Sequence, residues 1–128
     1  MCSIRTAESV CAGHPDKLAD QIADQILDDI LYDDKAARVA VEVMAAGRRI
    51  IVTGEITTNH RPRIRESVRT ALARAGYSPL GILIYVWTRR QSSDINAGVT
   101  TSLEARGGDS SAFALQGAGD QGTVYGYA

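Results

Sequence analysis

Cysteine is scarce in this 128-residue chain: Cys2 and Cys11 are the two present, and their spacing matches no metal-ligand pattern. A small buried thiol is the ordinary reading of Cys11; its nearness to a histidine leaves a nucleophilic thiol open, but no neighbouring residues mark a thioester enzyme. No apolar run is long enough to cross a bilayer, and no signal-like pattern opens the chain, so neither a membrane nor an oxidising compartment is indicated. A reducing, cytoplasmic setting is the expectation. Neither sign of charge dominates. Fourteen Lys and Arg against fifteen Asp and Glu leave a net charge of −1 and a pI near 6.1, which argues against nucleic acid or an anionic lipid surface as the main partner. Lysine is nearly missing, with only Lys17 and Lys35 present. At 13.7 kDa the chain suits one ordinary domain with enough core to need no disulfide or metal staple, and two would be cramped.

Against this plain background stands Gly13-His14-Pro15-Asp16-Lys17. Proline is favoured at the first helical position, so Pro15 is expected to open a helix that His14 precedes. The first turn would then offer backbone N–H groups and the positive end of the helix dipole. Asp16 could give a hard oxygen to Mg²⁺, while His14 and Lys17 could donate to phosphate oxygens. The alternative is that Asp16 merely steadies the first turn, Lys17 is a solvated charge and His14 sits in a loop.

Leu18, Ile22, Ile26 and Ile30 recur every four residues with Ala19, Ala23, Leu27 and Leu31 beside them, the pattern of a core-facing helix to about Asp33. Asp20, Asp24 and Asp28 at the same spacing read as a solvated acidic face, since no ligand sits opposite. Arg38 to Met44 alternates, turns through residues 45–49 and resumes from Ile50 to Thr58, which predicts a β-hairpin. Glu42 and Glu55 interrupt those strands; each faces either a site or the solvent side of an open sheet. Pro62 begins a second packing helix that Gly76 ends in the left-handed region. Ile82 to Trp87 is nearly all apolar, as in a strand covered on both faces or lying at a subunit interface. The order β, α, β, β, α, β predicts an α+β domain, an antiparallel or mixed sheet with two helices packed on one face.

From Gln91 to Gly108 no periodicity is visible, and a long mobile loop is expected, acting as a lid or as a linker. Gly117-Ala118-Gly119-Asp120-Gln121-Gly122 follows, where backbone must approach something closely. It is neither a Walker nor a Rossmann fingerprint, which weakens the reading of a generic magnesium-nucleotide phosphotransferase.

Glu8-Ser9-Val10, residues 13–17, Gly54-Glu55-Ile56-Thr57-Thr58, Gln91 with Ser93-Asp94-Ile95-Asn96, and the hexapeptide at 117–122 occur in that order. Together they resemble the amino-terminal part of the S-adenosylmethionine synthetases, or methionine adenosyltransferases. The resemblance implies one of three similar domains, with residues 1–90 as the amino-terminal domain, 91–112 as a flexible active-site loop, and 113–128 as the start of a central domain. It implies formation of S-adenosylmethionine from ATP and L-methionine, with release of phosphate and diphosphate by way of triphosphate, assisted by Mg²⁺ and K⁺.

Residue by residue, the resemblance makes His14 the catalytic contact to the phosphate chain, with Lys17 a neighbour of the phosphates, and Asp16 a magnesium ligand. Glu42 matches the potassium ligand. Glu55 and Gln91 match the groups holding the methionine ammonium and carboxylate. Asp120 falls on the adenosyl and methionine side of the ATP site, and Glu8 more loosely near the nucleotide. Gln91, Ser93, Asp94, Ile95, Asn96 and Thr101 belong to the gate; serine at 93 replaces a proline common in the family and should loosen the entry of the loop. The implied assembly is a homo-oligomer, dimer or tetramer, whose active sites lie between subunits and whose apolar sheet face is covered by a partner. The alternative is a short non-catalytic relative that binds or regulates the full-length synthetase.

Overall fold

Four apolar side chains repeating every four residues need one continuous surface to bury against, and this requirement sets the architecture. In the computed structural model, which describes residues 6–91, 102–112 and 114, Leu18, Ile22, Ile26 and Ile30 lie buried along helix α1, Pro15–Asp33. Helix α2, Ile64–Arg74, buries Ile64, Val68, Ala71 and Leu72 beside it. The two helices cover one face of a three-stranded sheet made of β1 (Arg38–Ala46), β2 (Arg49–Thr57) and β3 (Leu83–Arg89).

The strands lie in the order β1-β2-β3, with β1 and β2 antiparallel and β3 parallel to β2 after the α2 crossover. The sheet is therefore mixed, and the fold is α+β as its pattern predicts. The hairpin turn is tighter than the five residues expected. Ala46 pairs with Arg49, leaving Gly47 and Arg48 as the loop, with Gly47 at φ 57° as the first loop position requires. Residues 6–14 form no strand, so the strand expected before α1 is not found there.

Side-chain alternation divides the sheet cleanly. Val39, Val41, Val43, Ile50, Val52, Ile56, Ile84 and Val86 face the helices. The opposite face carries Glu42, Met44, Thr53, Glu55, Leu83, Tyr85 and Trp87. Trp87 is 65% exposed and its ring stacks on Tyr85 with centroids 5.9 Å apart. Strand β3 is thus covered on one face only, and its second row of apolar side chains lies bare.

Polar ties close the helix layer. Buried Gln25 is satisfied at both ends, donating to Asp29 Oδ1 at 2.8 Å and accepting from Arg74 across the α1–α2 seam. Past the end of α1, Asp34 accepts from the Asn59 N–H and the Thr58 hydroxyl, both at 2.8 Å, and from the Ala36 N–H. The Asn59 and Thr58 donors hold its carboxyl below the ordinary value of 3.8. As pH falls the unfolded chain takes up this proton first, so the stabilisation is complete above 3.8 and disappears as pH drops through the lowered value. Asp34→Asn should lower stability at neutral pH and flatten the acid limb of a plot of urea midpoint against pH. An unchanged limb would show that the network carries no linkage.

The chain divides into two compact units, Met1–Arg90 and Gln91–Ala128. Within the second, a stretch without visible periodicity contains a short helix α3, Leu103–Arg106. Ser102 caps it, its hydroxyl accepting from the Ala105 N–H at 3.1 Å and donating to the Ala114 carbonyl at 2.7 Å. One turn is too short for a periodicity signal; the serine before it and the Gly107-Gly108 pair after it were the readable cues. No described helix is long and apolar enough to cross a membrane.

Candidate active site

Helix α1 begins as its sequence requires, with Pro15 at the first helical position and His14 as the N-cap in extended conformation. The cap is the imidazole itself, Nδ1 accepting from the Asp16 N–H at 3.2 Å. In the neutral ring this puts the proton on Nε2, which is left to act as a donor. The expected cluster of open N–H groups is smaller than the sequence suggested. Pro15 has no N–H, that of Asp16 is taken by His14, and that of Leu18 bonds the His14 carbonyl at 2.8 Å. The Lys17 N–H is what remains of the first turn among the described residues. Asp16 and Lys17 are exposed and His14 is half-buried, all at one end of the helix layer.

Glu42 and Glu55 lie on the opposite side of the sheet. Glu42 pairs with Thr53 and Glu55 with Ala40, which makes the two carboxylates diagonal neighbours on the open face. Glu42 is exposed, whereas only 14% of the Glu55 side chain is accessible because Arg89 lies against it, with Nε and a terminal nitrogen both 3.1 Å from Oε1. Thr53, Gly54, Trp87 and Thr88 complete an open depression around this pair. Arg89 meets Glu55 through the parallel β2–β3 register. Separated by 34 positions in the chain, it gave no sequence cue.

Among the described residues the candidates do not gather into one cluster. The His14 loop sits beside Ala45, Gly47, Ile50 and Ile82, at the hairpin end of the helix-covered face. Glu55 lies five residues further along β2, roughly 16 Å at strand rise, and points from the other face. Gln91 is half-buried two residues beyond β3, at the start of the second unit. Ser93, Asp94, Ile95, Asn96, Thr101 and Asp120, with the hexapeptide at 117–122, lie outside the described residues, as does Cys2. Cys11 is exposed rather than buried, because the segment leading into α1 runs over the surface. Asp20, Asp24 and Asp28 are exposed, and no group of three potential ligands converges among the described residues.

Residues 3–96 match the family model described as S-adenosylmethionine synthetase, N-terminal domain. The chain is 46% identical over 130 residues to an S-adenosylmethionine synthase of Finegoldia magna, and 47% identical over 130 residues to one of Kosmotoga olearia. Each alignment covers 96% of this chain and 33% of the relative, so the chain spans about a third of the length of the curated relatives it matches. Among solved structures it resembles one titled "Structure of an Unusual S-adenosylmethionine synthetase from Campylobacter jejuni", with a TM-score of 0.59 and 38% identity, over 67% of this chain and 26% of that one.

Proposed function

Because the chain belongs to the S-adenosylmethionine synthetase family, matching the model of its amino-terminal domain, we propose that it supplies two separate half-sites of a methionine adenosyltransferase. The polypeptide carrying these residues would form S-adenosylmethionine from ATP and L-methionine, the methionine sulfur displacing triphosphate from the ribose C5′ and the triphosphate then being cleaved to phosphate and diphosphate. The observation that carries this reading is the split itself. His14, Asp16 and Lys17 stand at one end of the helix layer, while Glu42 and Glu55 lie on the bare sheet face. A site using both sets is most simply completed between copies of the chain.

His14 would donate from Nε2 to the phosphate chain near the breaking C–O bond, where charge develops as triphosphate leaves. The Lys17 ammonium and the positive end of α1 add to the same field. Asp16 would hold Mg²⁺ and Glu42 K⁺; when bound, these ions neutralise phosphate charge and steady the site. Glu55 would meet the methionine ammonium, sharing its carboxylate with Arg89, and Gln91 the methionine carboxylate. Asp120 would contact the adenosyl and methionine side, and the segment from Gln91 to about Thr101 would close over the site as a gate. The bare row of Met44, Leu83, Tyr85 and Trp87 suits burial against a second copy, giving a cytoplasmic homo-oligomer.

The test is product identification. The polypeptide carrying these residues, taken from its source and supplied with ATP, methionine, Mg²⁺ and K⁺, should yield S-adenosylmethionine with stoichiometric phosphate and diphosphate. Phosphate release without adenosyl transfer to methionine would refute the reading. The 128 residues alone are expected to form no detectable product, since they correspond to about a third of the relatives' length and stabilising a leaving triphosphate needs many charged groups.

A further inference from the structure

The three carbonyls that precede His14 are all engaged. The Cys11 carbonyl accepts from the His14 N–H at 2.9 Å, that of Ala12 from Gln21 Nε2 at 3.0 Å, and that of Gly13 from the Tyr77 hydroxyl at 2.8 Å. The last two donors are side chains from outside the loop. Gln21 stands on α1 and also donates to the Lys17 carbonyl at 3.2 Å. Tyr77 comes from the far end of α2, and its own position is tightly set. The Tyr77 N–H bonds the Leu72 carbonyl, the Gly76 N–H bonds that of Ala73, and Gly76 takes φ 86°, together a Schellman end that aims the tyrosine at the loop. A side chain at position 13 would meet the Tyr77 hydroxyl at 3.0 Å, so glycine there is what allows the approach.

We propose that Tyr77 and Gln21 are positioning residues for His14: by fixing the Ala12 and Gly13 carbonyls they orient the peptide that carries the imidazole and keep Nε2–H directed outward. Rotation of the Gly13–His14 peptide would pull Nδ1 away from the Asp16 N–H. The ring would then have no preferred tautomer and no preferred direction. The orientation stands on geometry alone; its value to catalysis rests on the role given to His14 above.

The test reads the imidazole directly. The chain has two histidines, so ¹⁵N spectra of the full chain are assigned by comparison with His60→Gln. At about pH 8, above the ordinary histidine range, the His14 ring should show a dominant Nε2–H form. Tyr77→Phe removes one oxygen, and Gln21→Leu, at a partly exposed position, gives an independent variant should the first fold poorly. Either is expected to shift the His14 ring toward the mixed tautomer pattern of free histidine with the circular dichroism of the helices unchanged. In the complete synthetase, Tyr77→Phe should lower kcat about 10- to 100-fold while KM for both substrates stays within about twofold. A wild-type tautomer pattern in both variants overturns the proposal, including where their melting points fall, because the tie would then be structural only. A lost preference supports it even if no synthetase activity is found, which keeps failure of the functional reading separable.

Discussion

Gly54→Ala is expected to destabilise the amino-terminal unit by about 2–4 kcal/mol, a severe loss for a domain of this size. Gly54 sits in the middle strand with φ 121°, opposite Val41, in a region that side chains rarely adopt. A methyl group there would overlap the Ala40 carbonyl oxygen and come within 2.9 Å of the Val41 Cα. Both obstacles are backbone of the paired strand, so no rotamer change relieves them. The strands must part or bulge, and the displacement falls on Glu55, the adjoining residue. Gly47 provides the control. Its φ is also positive, at 57°, but the space around it is open, so Gly47→Ala should cost only the conformational penalty of about 1 kcal/mol. Urea denaturation of the two variants side by side decides the matter; equal losses would show that β1 yields easily.

His14→Asn should lower the rate of S-adenosylmethionine formation by roughly 10²–10³-fold while leaving the fold intact. Asparagine is a good N-cap and can accept from the Asp16 N–H as the imidazole does, so α1 keeps its start. What disappears is the outward Nε2 donor. Alanine at this position would confuse the two effects, since losing the cap alone costs about 1 kcal/mol. On the proposed role of Asp16 as a Mg²⁺ ligand, Asp16→Asn should produce a loss of comparable size, partly recoverable by raising Mg²⁺, because mass action can offset one weakened ligand. Steady-state rates at two magnesium concentrations, with melting curves to verify folding, provide the measurement. A loss below tenfold for His14→Asn would remove His14 from the chemistry.

These two sites illustrate different kinds of legibility. The start of α1 was readable from five consecutive residues, because proline preference and capping are local and depend only on near neighbours. The buried stripe of α1, the hairpin and the αL stop at Gly76 were legible for the same reason: each follows from a short-range period or one backbone angle. The identity of the cap atom was not, since a histidine in that position can cap through its ring or stay in the loop. The single turn of α3 also escaped, being shorter than any period that could announce it.

For Glu42 and Glu55, period-two alternation set each opposite the apolar side chains of its own strand, but it could not relate the two strands or tell a site from solvent. Register decided it. Pairing β1 and β2 across the hairpin put both carboxylates opposite the helices, and the parallel return of β3 brought Arg89 against Glu55. The same long-range closure carried Tyr77 to Gly13, 64 positions away. The sequence by itself determined the two long helices, the hairpin and the third strand, the core stripe, the helix that presents His14, and the family resemblance carried by its short motifs. Only the tertiary structure decided that the start of α1, with His14, Asp16 and Lys17, and the carboxylates of Glu42 and Glu55 lie on opposite sides of one sheet. Contacts between distant strands depend on how whole layers bury their apolar faces, and no local run of residues encodes that.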